Sequence, residues 1–237
     1  MTQHILITGA NRGIGLGMVR QFLVKDDNNI VFATARKPDD ATDLNALAEE
    51  YAGRVHIIQL DINDSDSVAA AVEQVKSTAG KLDILVNNAG IFVKDDSASK
   101  LGSLAADDVS RNIHINAVAP LMVSQALVDL LKAGTASRIV MISSGMGSME
   151  QAKPGSYAYR MSKAAMNMAA RVLSKDLESA GITTITMHPG WVQTNMGGKE
   201  AALTPEESAT GLVDVISNLT IDDNGSFLQW DGTSLPW

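Results

Sequence analysis

An α/β fold with a doubly wound, mostly parallel sheet of about seven strands, helices covering both of its faces, is the architecture this sequence predicts. Three observations carry it. Short apolar runs alternate with helix-period segments along the whole chain, which is how βαβ units read. The runs are apolar on consecutive residues, as strands buried on both faces must be. A glycine-rich turn separates the first run from the first helical segment. The 237 residues, 45% hydrophobic and 19% charged, suffice for one sizeable core. No Pro/Ser-rich linker, internal repeat or low-complexity tract breaks the alternation, so residues 1–237 read as a single domain.

In chain order, strands are expected over 4–8, 30–34, 55–60, 82–86, 138–143 and 183–187. A helix over 16–24 follows the glycine turn. Another, over 65–79, sets Val68, Val72 and Val75 on one stripe and ends at Gly80, where glycine closes a helix in the left-handed conformation. Two long helices, 107–132 and 159–179, offer faces for an oligomer interface. Thr204-Pro205-Glu206-Glu207 opens a late helix to about Asn218, with Thr at the cap, Pro in the first turn and Glu three residues on. The stretches 145–156 and 193–202 lack clean periodicity, and each follows a strand at the edge where such sheets bind ligands. They are the expected substrate loops.

Composition excludes several classes. A net charge of −8 and 4% aromatic residues leave neither a basic track for phosphates nor a stacking platform for bases, so no nucleic acid is expected as partner. Without cysteine there is no disulfide frame, thiolate nucleophile or Cys-based zinc site, and the four histidines stand far apart, so no metal is expected. The first residues enter a strand pattern directly, without the charged and apolar regions of a signal peptide. No apolar run approaches the roughly 18 to 20 residues that cross a bilayer. A cytosolic location without a membrane partner is the expectation.

The turn reads Thr8-Gly9-Ala10-Asn11-Arg12-Gly13-Ile14-Gly15. Phosphate approaches a backbone closely only where side chains are missing, and the next helix offers free N–H groups and the positive end of its dipole. Strand before and helix after make this a pyrophosphate cradle. The second strand then chooses the dinucleotide. NAD binders carry an acidic residue about 20 residues beyond the glycines, whereas NADP binders need a cation for the 2′-phosphate. Here Arg36 and Lys37 follow the strand, and the first carboxylate is Asp39. With Arg12 inside the turn, two guanidinium groups are placed to fork that phosphate, which predicts NADP.

Tyr159-Arg160-Met161-Ser162-Lys163 opens a helix. Positions i and i+4 share a helix face, so phenol and ammonium can act at one point. Tyr157, six positions from Lys163, fails that test and is assigned to packing. A free phenol titrates near 10, too high for proton shuttling at neutral pH. Lowering it by about three units takes roughly 4 kcal/mol, which the lysine and an oxidised nicotinamide could together supply.

Thr8-Gly-x-x-x-Gly13-x-Gly15, Asn87-Asn88-Ala89-Gly90, Asn116, Ser143-Ser144, Tyr159-x-x-x-Lys163 and Pro189-Gly190, in this order, resemble the short-chain dehydrogenase/reductase family over nearly the whole chain. Asn11-Arg12-Gly13, the stretch from His188 to Thr194 and the ending from Phe227 to Trp237 look like its C-factor and sniffer-type carbonyl reductase branch. The resemblance implies a Rossmann-type domain in which Tyr159 protonates a substrate carbonyl as nicotinamide delivers hydride. It further implies that Ser144 holds the carbonyl oxygen and that Lys163 binds the ribose while lowering the Tyr159 pKa. Asn116 would anchor a water of the proton relay. Asp61 and Ile62 would meet the adenine; Asn88, Ala89 and Gly90 would line the cofactor channel; Pro189, Gly190, Val192 and Thr194 would hold the nicotinamide end.

Ser144 lies fifteen positions before Tyr159, longer than the family's usual spacing, so Ser143 is its rival and Ser148 a distant third. Alternate strand residues face opposite ways, so only one of the adjacent pair can point at substrate. His114 is expected to be structural or at the surface, and His188 at most to position its neighbours. Met146, Met149, Trp191 and Met196 fall in or beside the irregular loops and either form an adaptable apolar pocket or fill gaps. The leading expectation is an NADPH-dependent reductase of a small, apolar ketone or aldehyde, a dimer or tetramer as is common in the family. The alternatives are an NAD(P)-linked alcohol dehydrogenase working oxidatively and a cofactor-binding signalling protein on the same fold.

Overall fold

In the computed structural model, which describes residues 2–237, the six expected strands form within two residues of their expected limits. They are β1 (His4–Ile7), β2 (Ile30–Ala35), β3 (Val55–Gln59), β4 (Ile84–Asn87), β5 (Arg138–Ile142) and β6 (Thr183–His188). A seventh, β7 (Phe227–Gln229), completes the sheet. The order is β3-β2-β1-β4-β5-β6-β7, and every neighbouring pair is parallel. The sheet is therefore wholly parallel.

Helices α1 (Gly13–Lys25), α2 (Thr42–Glu50), α3 (Ser65–Ala79), α4 (Asp96–Ser99), α5 (Ala106–Ile113), α6 (Ala119–Lys132), α7 (Tyr157–Asp176) and α8 (Pro205–Asn218) connect the strands. Alternation along the buried strands feeds two cores. Ile5, Ile7, Ile84 and Val86 join Met18, Phe22 and Leu212 of α1 and α8 on one face. Leu6, Leu85, Ile139 and Met141 join Val75, Leu127 and Met166 of α3, α6 and α7 on the other. The caps read from sequence are present: Gly80 closes α3 at φ 69°, and Thr204 with Glu207 forms a reciprocal capping box. At the other end of α3, Asp64 accepts from the amides of Asp66 and Ser67.

Two expectations change. Residues 106–132 form one continuous helical rod, because a π turn, His114–Val118, joins α5 to α6. By length and composition Ala106–Lys132 is apolar enough to cross a membrane, contrary to the sequence reading; its buried side chains, Val123, Leu127 and Leu131 among them, belong to the sheet's second core. The helix of the Tyr/Lys pair begins at Tyr157, not Tyr159. Tyr157 stands exposed at its first position instead of packing.

Candidate functional site

The chain reverses direction across the sheet between β1 and β4, and at the carboxyl ends of those strands lie the glycine turn and Asn87–Gly90. Thr8 and Asn88 bolt the two together. The Thr8 hydroxyl oxygen accepts from the amides of Asn88 (2.9 Å) and Ala89 (3.0 Å), while Asn88 Nδ2 donates to the carbonyls of Thr8 (2.9 Å) and Gly9 (3.1 Å). The Asn88 side chain thus braces the turn and does not project into a channel. Gly9 (φ 64°) and Gly13 (φ 54°) hold left-handed conformations. Gly15 serves packing, since a Cβ there would strike the Gly9 carbonyl and Asn88 Nδ2. No side chain caps α1, whose first turn carries Gly13, Ile14 and Gly15, so its leading N–H groups remain available.

Beside the turn an open cleft of about 820 Å³ is lined by Asn11, Arg12, Arg36, Lys37, Gln59 and Asp61, among others. Lys37 is paired with Asp40 at 3.8 Å, whereas among the described residues Arg12 and Arg36 join no ion pair and lie exposed. A glycine cradle free of side chains and two unengaged guanidinium groups fit a phosphorylated dinucleotide. Ile62, assigned to the adenine, is partly buried and packs on one side against the core beneath α3.

Across the sheet edge Tyr159 and Lys163 are both buried on α7. Lys163 Nζ donates to the Ile142 carbonyl (2.8 Å) at the end of β5 and lies 5.7 Å from the Tyr159 ring centroid, over the ring face. Burial pulls the amine down to about 8. Burial also pushes the phenol up to about 12, although the Ser144 hydroxyl favours its ionised form. The pair shares one face as expected, with the amine over the phenol ring, and burial sets the upward direction of the phenol.

The two serines are separated by their partners. Ser143 Oγ is spent on Asn167 Oδ1 (2.6 Å). Ser144 Oγ accepts from the Met146 amide (3.1 Å), and its hydroxyl stands beside the Tyr159 phenol. Ser148 Oγ donates to the Trp237 carbonyl. Asn116, on the π turn, uses its side chain as a clamp: Oδ1 accepts from Ile91 N (2.8 Å), and Nδ2 donates to Ile91 O (2.8 Å) and Ser162 Oγ (2.9 Å). A Cβ on Gly90 would lie 3.0 Å from Asn116 Oδ1 and 3.7 Å from Lys163 Nζ, so Gly90 lets the two loops close.

After β6, Pro189 accepts from Ser208 Oγ (2.6 Å), and Gly190 (φ 84°) passes beneath Leu203 and Trp230. Val192 is buried in a bridge with Leu203, and the Thr194 methyl would lie 3.4 Å from a Cβ on Gly13. Of these four, Thr194 stands nearest the glycine turn. His188 is buried beside Gly145, its imidazole held down to about 4 by desolvation, hence neutral near pH 7. His114 is exposed.

The residues missed by sequence are Phe92, whose ring centroid lies 4.4 Å from that of Tyr159, and Ser162 and Asn167, which engage Asn116 and Ser143. Met196, named before only as a loop methionine, contacts the phenol through Sδ at 3.9 Å.

A family model described as short chain dehydrogenase matches residues 3–203. The chain belongs to the short-chain dehydrogenase/reductase family. It is 42% identical over 159 residues to C-signal of Myxococcus xanthus, covering 67% of this chain and 94% of that protein. Carbonyl reductase Sniffer of D. melanogaster matches its fold with a TM-score of 0.93 at 34% identity over 100% of both chains. An NADPH-bound carbonyl reductase from chicken fatty liver matches at 0.92 and 36%, covering 100% of this chain and 99% of that one. The resemblance to the C-factor and sniffer-type branch and the Rossmann-type fold are thereby borne out. The chain is an oxidoreductase of this short-chain family, and its structural neighbours include carbonyl reductases.

Proposed function

We propose that this oxidoreductase reduces a small, apolar ketone or aldehyde with NADPH. The observation that carries the reading is the placement of a buried phenol beside the Ser144 hydroxyl at the carboxyl edge of the sheet, with the Lys163 amine over the phenol ring. Arg12 and Arg36 would hold the 2′-phosphate, the glycine turn and the α1 N-terminus the pyrophosphate, and Lys163 the nicotinamide ribose. NADPH, when bound, supplies the hydride. Tyr159 donates its proton to the carbonyl oxygen and Ser144 donates a hydrogen bond to the same atom as charge develops there. The Asn116 amide hydrogens are already engaged, so a water of the proton relay would rest on its main-chain carbonyl or on the second lone pair of Oδ1.

The test is a carbonyl panel run with NADPH and NADH side by side. The expected result is turnover with a preference for NADPH that Arg36→Ala weakens about tenfold or more in KM. Equal use of NADH would refute the arginine assignment.

The same reading places the enzyme in the cytosol as a homo-oligomer. Support for the second part is an exposed apolar stripe, Met161, Met168 and Val172 on α7 with Val118 and Met122 on the adjoining rod. Sedimentation should give a dimer or tetramer that Met168→Glu dissociates.

A further inference from the structure

We propose that Met196 and Phe92 form a displaceable apolar plug over the Tyr159 hydroxyl, which selects carbonyls bearing a planar apolar substituent. This rests on the carbonyl reductase reading above and names the substrate class of that site. Besides the Ser144 hydroxyl, the phenol's hydroxyl meets a thioether, Met196 Sδ, at 3.9 Å, and the Phe92 ring lies against the Tyr159 ring at 4.4 Å with a 33° tilt. Tyr159 is only 7% exposed beneath these neighbours. The ammonium of Lys94 lies 5.7 Å over the Phe92 ring and steadies it.

The backbone that carries Met196 is well fixed. Gly198 N donates to Thr194 O (2.8 Å), Gly197 N to Thr194 Oγ1 (3.1 Å) and Trp191 Nε1 to Gly197 O (2.9 Å). A Cβ on Gly197 would collide with the Val192 carbonyl, so the crossing is tight. Movement falls to the methionine side chain, which is unbranched and rotates about three bonds. An O–H···S contact is weak, and a carbonyl oxygen is a much better acceptor, so substrate exchanges a poor partner of the phenol for a good one. Displacing the thioether forfeits its packing on Tyr159 and Phe92. A flat apolar group laid on Phe92 restores that packing, and a short alkyl group does not.

The plug is tested without turnover by nitrating the chain with tetranitromethane and mapping the modified tyrosines by mass spectrometry. The chain has no cysteine to compete for the reagent, and exposed Tyr157 is an internal standard. Tyr159 should be shielded in wild type and in Met196→Leu, and react about tenfold faster in Met196→Ala at an unchanged Tyr157 rate. In parallel, kcat/KM with NADPH is measured for an aryl and a short alkyl aldehyde. The aryl preference should fall about tenfold in Phe92→Ala and in Met196→Ala. Equal nitration of Tyr159 in wild type and Met196→Ala overturns the plug whether or not any carbonyl is reduced. A Tyr159 that opens in Met196→Ala while wild type reduces no carbonyl upholds the plug and overturns the reductase reading. An alkyl preference in wild type overturns the substrate class.

Discussion

The two edges of the sheet treat buried polar groups in opposite ways. At the amino edge Asp83, 1% exposed, has a partner for each oxygen pair. Oδ2 accepts from His4 N (2.8 Å) and faces His4 Nδ1 (3.4 Å); Oδ1 accepts from Thr135 N (2.8 Å) and from Lys81 Nζ (3.2 Å). Desolvation would raise this carboxyl, yet the hydrogen bonds from His4, Thr135 and Lys81 together hold it below its ordinary value. At the carboxyl edge Tyr159 and Lys163 are also buried; the phenol meets the Ser144 hydroxyl and the Met196 sulfur, and the amine has one good acceptor. Each is pushed toward its neutral form. The first edge spends its polar groups on stability, and the second keeps them unspent for a ligand, which is the usual conflict between stability and an active site.

The contrast can be broken by substitution. The largest effect expected is on Tyr159→Phe, whose turnover should fall about 10³-fold while its unfolding free energy stays within about 1 kcal/mol of wild type, because the phenol's contacts are the Ser144 hydroxyl and a weak sulfur acceptor. Asp83→Ala should do the reverse. It strands two amides and an ammonium, so urea melts should show a loss of about 3 kcal/mol with kcat per folded molecule unchanged. Lys163→Met should abolish most turnover yet stabilise the free protein by about 2 kcal/mol below pH 8, since a desolvated buried ammonium with no carboxylate partner is removed. The smallest effect concerns Ser156, which enters α7 at φ 55°; Ser156→Gly relieves that conformation and should raise stability by about 0.5 kcal/mol.

Acid and base titrations sharpen the same difference. Asp83 titrates lower in the folded than in the unfolded chain, so its stabilisation is complete above the unfolded value near 3.9 and is lost as pH falls through the folded one. Lys163 titrates at about 8 when folded, against 10.5 when free, so between those values the unfolded chain binds the extra proton and stability rises with pH. Tyr159 then reverses the trend, since from about 10 to 12 only the unfolded phenol ionises. Urea melts of the free protein across pH 7–11 should show the rise in wild type and not in Lys163→Met.

Much of this was legible in the sequence, and the gaps have physical causes. The strands could be placed because a parallel sheet buried on both faces demands runs of consecutive apolar residues, and Gly80 and Thr204 were readable because caps are local chemistry. Strand β7 is three residues long, too short to show a period. The π turn at Asn116 carries no sequence mark. Ser144 could not be separated from Ser143 until Asn167, 24 residues further on, claimed the latter. The i, i+4 spacing put Tyr159 and Lys163 on one face, but it carried no sign that Ile142, 21 residues earlier, would offer its carbonyl to the amine.

Local rules, then, determined the family, the fold class, the glycine cradle and the Tyr/Lys pair, since each depends on neighbours within a turn or on runs along one strand. Only the tertiary structure decided which serine is free, how deeply the phenol is buried and that Phe92 and Met196 cover it. These depend on contacts between residues 20 to 70 positions apart, whose distances are set by how helices and loops pack on the sheet and not by spacing in the chain.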